Sequence, residues 1–378
     1  MTQSNVLLQW IDELEDRLDL PVHPTYPLRD KEIVGVWRKR SVESLHALAG
    51  RGGLELRDAN DKPVYEHLMA VADGQLHPQF EEAPGRTILL GELLRNIAHP
   101  GRITQGLKGT CAATCLEIYM AERMPAEYAR LCAGLVSPTG RIKMLNGEEL
   151  RRDEDVLAPD EYEFRRSPVS RIFQVACMEY AYPELDYKNA EDGQFDGVKN
   201  TGTGLSLGAF DRLLASMSGK KWATLSDESS RFAAVFAKFG VDMNKIPNLQ
   251  RDALDIIERS TNAGEAVFAT LEVPKVRSPV RRAAGSGEHA AHKIRILKLD
   301  RMNGTVLYDD PMDPQQSWFE GIRTRIVDKY GHCTMPIADF EKLLVELSYS
   351  PEFWTAAPPK TEAPKVDVET SMSAPNAP

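Results

Sequence analysis

No apolar stretch in this sequence approaches the length needed to cross a bilayer, so no membrane-spanning helix is expected. Cysteine is scarce: Cys111, Cys115, Cys132, Cys177 and Cys333 are odd in number and irregular in spacing. That excludes a disulfide framework and leaves reduced, mostly buried thiols as the expectation. Positive charge is also in deficit. Lys and Arg number 46 against 56 Asp and Glu, a net charge of -10, which argues against nucleic acid as the main partner. The opening residues, MTQSNVLLQWIDELEDRLD, lack a basic stretch followed by an apolar core, so no signal peptide is expected. Either a cytoplasmic protein or one secreted without a signal peptide, as in effector-type delivery, suits that pattern. No internal repeat is visible. What remains is the composition of a globular chain, 42% hydrophobic and 27% charged over 378 residues, enough for one large domain or two ordinary ones.

Val6, Leu7, Trp10, Ile11, Leu14 and Leu18 recur at helical spacing over residues 1–20. LPVHPTYPLRD (20–30) reads as a proline-broken connector, and residues 31–104 as short helical pieces that include 86–98. SRIFQVACMEYAY (170–182) reads as a core helix holding Cys177. Ser206 and Gly219 mark the two ends of another helix. RDALDIIERSTNAGEAVFATLEV (251–273) reads as helix, turn, then strand. HKIRILKLDRMNGTVLYDDP (292–311) reads as a hairpin turning at Asn303-Gly304. MPIADFEKLLVEL (335–347) reads as a late helix. From Thr355 onward Pro-rich, apolar-poor sequence predicts disorder. The expected division is a helical region over 1–84, a main domain over 85–350 with an insertion around 135–205, and a disordered tail over 355–378.

QGLKGTCAATCLEIYMA (105–121) poses the chemical question, with two cysteines four apart where a loop becomes a helix. A structural zinc would need two further ligands at compact spacing. Cys132, Cys177 and the lone His332-Cys333 pair do not supply them, so neither a metal nor a cofactor is expected. Cys115, one turn into the helix, reads as a core residue. Cys111 follows Gly106, Gly109 and Thr110 and opens the helix. The positive end of the helix dipole and the free N–H groups of the first turn favour its thiolate, which is the nucleophilic form.

The residues around Cys111 resemble the active-site segment of papain-like cysteine peptidases. In that family a glutamine lies six residues before the nucleophile, with glycines between and a small residue and a helix after. Gln105, Gly106, Gly109, Cys111 and Ala113 fill the matching places. Ala112 stands where an aromatic residue is usual, which suits a remote bacterial branch of bacteriocin-processing or effector-like type. The family's order of Cys, then His on a strand, then an acid or Asn on the next is met by the 292–311 hairpin. The resemblance covers about residues 85–350. It implies an α+β, papain-like fold, with a helical subdomain led by the Cys111 helix against a twisted, mainly antiparallel sheet. It further implies Cys111 as nucleophile, Gln105 as an oxyanion donor, a histidine as proton carrier and an aspartate that orients it. His289 and His292 are both candidates for the histidine. His292 is preferred because it shares a strand face with Ile294 and Ile296. Asp310 is preferred over Asp309 because it directly precedes Pro311.

The function expected on this resemblance is a thiol hydrolase that cleaves a peptide or amide bond through a Cys111 acyl-enzyme. Transglutaminase-like and acetyltransferase-like enzymes use the same residue types, though usually with a shorter Cys-to-His separation. A papain-like protein that only binds a partner is the third reading. The expected partner is a protein or peptide substrate. The basic run KVRSPVRR (275–282) leads into the histidine segment and would favour acidic segments of it if it rims the cleft.

Overall fold

The structure, a computed structural model, describes residues 3–19, 31–81, 85–106, 108–157, 166–184, 186–190, 192, 205–226, 248–274, 289–312, 325–328 and 332–352. Helices dominate the first half. In chain order they are α1 (Gln3–Arg17), α2 (Lys31–Gly50), α3 (Val64–Asp73), α4 (Pro78–Glu81), α5 (Gly85–Ala98), α6 (Cys111–Arg123), α7 (Pro125–Val136), α8 (Pro168–Ala181) and α9 (Leu207–Ser218). A small hairpin of β1 (Arg141–Lys143) and β2 (Glu149–Arg151) lies between α7 and α8. Local chemistry sets several boundaries. Ser167 accepts from Ser170 N–H and Pro168 opens α8, while Gly219 in a left-handed conformation (φ 66°) ends α9.

Among the described residues, the second half holds one antiparallel sheet and two helices. Its strands are β3 (Ala223–Ser226), β4 (Val267–Pro274), β5 (His289–Asp300), β6 (Thr305–Asp309), β7 (Arg325–Ile326), β8 (His332–Pro336) and β9 (Leu344–Tyr349), in the order β3-β9-β4-β5-β6-β8-β7. Two helices, α10 (Leu249–Asn262) and α11 (Ile337–Leu343), pack against it. The β5–β6 hairpin turns as its sequence predicts. Asp300 accepts from the backbone and side-chain N–H groups of Asn303, and Gly304 takes the left-handed conformation at φ 65°. The chain is therefore α+β with a mainly antiparallel sheet.

Alternation along β4 divides the apolar residues between the two faces of the sheet. Val267, Ala269 and Leu271 join Ile294, Ile296, Val306 and Tyr308 in a core closed by Ile256, Ile257 and Phe340 of α10 and α11. Phe268 points the other way, into the helical core. There it meets Tyr119 of α6 edge-on at 5.9 Å and Phe210 of α9 at 5.2 Å. That contact fastens α6 to the sheet. Leu14, Leu18, Leu45, Leu48 and Leu68 belong to the same helical core as Leu116 and Met120, so α1 to α3 share their core with α6.

The stretch 335–347 departs from its expected helix. It supplies the end of β8, two turns of α11 and the start of β9, which sits inside the sheet between β3 and β4. The charge-mixed segment 148–166 begins with β2. Residues 158–165 and the tail 355–378 lie outside the described residues.

Candidate active site

Cys111 is the first residue of α6. Thr110 precedes it at the cap position, but its hydroxyl donates to Gln174 Oε1 of α8 (2.8 Å) and caps nothing. The first-turn N–H groups thus lack a side-chain cap from Thr110, and their partial positive charge acts on the thiol. Cys111 is partly exposed, whereas the other four cysteines are buried.

The strand opposite is cut to receive this helix end. β5 starts at His289, yet its pairing with β6 starts only at Arg295, opposite Asp309. At Lys293, two residues before that pairing begins, the strand's backbone meets α6. Lys293 N–H donates to the Cys111 sulfur, and Lys293 C=O accepts from Cys115 Sγ at 3.4 Å. Two thiols one helical turn apart thus grip one strand residue. Cys115 is the buried residue expected from sequence, and it is also a docking contact.

Next to Lys293, His292 is buried, and its ring is hydrogen-bonded to Cys111. Nε2 of His292 lies 2.8 Å from Asp310 Oδ1, which leaves Nδ1 as the ring nitrogen for the thiol. Asp310 Oδ1 also accepts from Met312 N–H (2.9 Å). Pro311 C=O accepts from Gln105 N–H (2.9 Å) and from Thr104 Oγ1 (3.1 Å), which ties the loop before Cys111 to the corner that carries Asp310. The structure therefore brings Gln105, Cys111, His292 and Asp310 into one place. Asp309 is engaged elsewhere, with Arg295 Nε at 2.8 Å and His332 Nε2 at 3.2 Å. His289 lies in β5, and its side chain falls outside the described residues.

The electrostatics separate Cys111 from its siblings. Burial pushes its thiol up, but the hydrogen bond to His292, the charge on that ring and Lys293 outweigh burial and hold it below its ordinary 9.0. Burial pushes His292 down, but the charge of Asp310, its hydrogen bond and the neighbouring sulfur outweigh this and carry the ring from 6.5 to about 10. Cys115, Cys132 and Cys177 are pushed well up by burial, and Cys333 is pushed up to about 12. The arrangement favours a thiolate beside an imidazolium, with a carboxylate fixing the ring.

Gln105 is buried, and its Nε2 donates to Lys108 C=O at 2.6 Å. Its Oε1 has no hydrogen-bond partner among the described residues. Behind α6, Glu117 is fully buried and accepts from Tyr128 Oη (2.6 Å), Ser170 Oγ (2.8 Å), Gln174 Nε2 (2.8 Å) and Asn96 Nδ2 (3.2 Å). Burial raises its carboxyl pKa despite these donors. Through Gln174 this network reaches Thr110. Neither this network nor the Lys293 contact was legible in the sequence, because a lone Glu in a helix has no spacing signature. Among the described residues no cysteine belongs to a group of three donors close enough to share an ion. The carboxylates of Asp153, Glu179 and Asp186 do approach one another within 4.8 Å, the first two half-buried and the third exposed. The basic run at 275–282, with Lys275, Arg277, Arg281 and Arg282, lies outside the described residues. No family model matches the chain, and no curated protein matches it.

Proposed function

We propose that the chain is a thiol hydrolase of papain-like type that cleaves a peptide or amide bond through an acyl-enzyme on Cys111. One observation carries this reading. Among the described cysteines whose thiols are shifted, Cys111 alone is held down, and the imidazole that does so is itself bonded to the half-buried carboxylate of Asp310.

In the reaction so read, the Cys111 thiolate attacks the carbonyl carbon and the carbonyl oxygen becomes an oxyanion. The N–H of Cys111 and the free side-chain N–H of Gln105 donate to that oxygen. His292 gives its proton to the leaving amine, the C–N bond breaks, and a thioester remains on Cys111. Neutral His292 then takes a proton from water as the water attacks the thioester. The carboxylic acid leaves, and thiolate and imidazolium are restored. Asp310 holds the ring so that Nδ1 faces sulfur throughout. An amine in place of water would give acyl transfer with the same residues.

The test is cleavage of a mixed peptide library read by mass spectrometry, with and without an added primary amine. Wild type should release new carboxyl termini, and Cys111→Ser should release none. Products carrying the amine in preference to water would make the chain an acyltransferase. No product in either form would leave a binding protein as the better account.

A further inference from the structure

The peptide unit between Lys108 and Gly109 is held at both ends. Its carbonyl accepts from Gln105 Nε2 at 2.6 Å, and its N–H donates to Asp192 Oδ2 at 2.7 Å. In a planar trans peptide these two groups point in opposite directions, so the two bonds together fix the plane. Glycine at the second position makes that necessary, because Gly109 has no Cβ to resist a flip of the plane. A flip would withdraw the acceptor that orients the Gln105 amide. We propose that Asp192 is a positioning residue of the reaction centre, acting through the Lys108–Gly109 peptide to aim the side chain of Gln105. The proposal rests on the reading of Gln105 as an oxyanion donor.

Asp192 is built for such a role. It is 6% exposed, and the Tyr187 hydroxyl donates to the same oxygen that Gly109 reaches, which fixes the carboxylate. Lys108 beside it is 1% exposed and sends its ammonium to Asn189 C=O at 2.6 Å. Asn189 in turn accepts from Arg166 (2.6 Å) and donates its N–H to Asp155 (3.0 Å). Separate segments inside the 135–205 region thus converge on two loop residues just ahead of Cys111. A loop needing only to stay folded would not require both a buried lysine and a distant buried carboxylate that bonds the next residue, since burying either is costly. In this proposal the region does more than cover a surface, because it sets the geometry of the oxyanion donor.

The experiment compares wild type, Asp192→Ala, Gln105→Ala and the double variant. The probes are turnover of p-nitrophenyl acetate, which forms an oxyanion, and alkylation of Cys111 by iodoacetamide, which forms none. Asp192→Ala should slow turnover about tenfold or more while the alkylation rate stays within about twofold, given that a single oxyanion donor contributes about 10²–10³ in kcat. The double variant should be no slower than Gln105→Ala, because both changes remove one function. Turnover by Asp192→Ala within about twofold of wild type, or losses that multiply in the double variant, would overturn the proposal while leaving the Gln105 reading intact. A Gln105→Ala protein as fast as wild type would instead sink that reading, and the proposal with it. Hydrogen exchange at Gly109 in the wild-type protein decides the matter even if Asp192→Ala does not fold or the ester is not turned over. Strong protection is expected, and exchange at the rate of a free chain would overturn the proposal.

Discussion

At the scale of single residues, the chemistry turns on two opposed shifts. His292 sits above its unfolded value of 6.5, so its contribution to stability is complete below that pH and is lost as pH rises through about 10. Cys111 sits below 9.0, so its contribution is present above that value and is lost as pH falls through its lowered one. Thiolate and imidazolium coexist between the two limits. The pH profile of kcat/KM should therefore be a bell with an acid limb from Cys111 and an alkaline limb near pH 10. A profile that rises only above the pH of an ordinary thiol would contradict the pair. Cys115 gives a second residue-scale test. Serine there keeps a donor for Lys293 C=O, so Cys115→Ser should retain most activity, whereas Cys115→Ala should lose several-fold more in kcat. Equal rates in the two variants would show that the 3.4 Å contact is incidental. The position of Cys111 at a helix start was legible, because glycines and Thr110 precede a helical run. The expectation that Asp310, directly before Pro311, would be the acid beside His292 agrees with their 2.8 Å contact. The role of Cys115 was not, since what it touches lies on a distant strand.

At the scale of elements, α6 is the hinge of the account: its first turn carries the thiol, and its outer faces meet other helices and the sheet. Glu117 locks it to α5, α7 and α8 with four buried hydrogen bonds. Glu117→Ala would strand those donors in the core, and each buried donor left without a partner costs about 1–3 kcal/mol. A loss of about 3 kcal/mol or more in chemical denaturation is expected, with loss of activity following from a displaced helix start. A change under about 1 kcal/mol would mean that the network relaxes without cost. The hairpin β5–β6 and the helix α10 were readable from turn residues and periodicity. The strand β9 was not. FEKLLVEL satisfies helical spacing, and Leu344–Tyr349 is buried nearly throughout, so no two-residue alternation betrays the strand. Its pairing with β3 and β4 is a tertiary choice that overrides local pattern.

At the scale of the whole molecule, the candidate site exists only because two halves meet. The helical half brings Gln105 and Cys111, and the sheet half brings His292 and Asp310. They are joined by Pro311 C=O, by Lys293 and by the ion pair of Arg295 with Glu122. The N-terminal helices belong to that helical half, because Leu14, Leu18, Leu45 and Leu48 are fully buried in the core that holds α6. A chain starting at residue 85 should therefore fail to give a cooperative thermal transition, having exposed the apolar face of α5 on which α2 and α3 rest. Cooperative unfolding and full activity of that shorter chain would show the 1–84 region to be separable. The central claim is that the two halves together make one activated thiol. Its most direct measurement is iodoacetamide labelling below the pH at which an ordinary thiol ionises, mapped by mass spectrometry, in wild type and His292→Ala. The account predicts rapid labelling of Cys111 in preference to the four buried cysteines, and loss of that rate when His292 is removed. Slow labelling of Cys111 in the wild type, or labelling unchanged by His292→Ala, would contradict it.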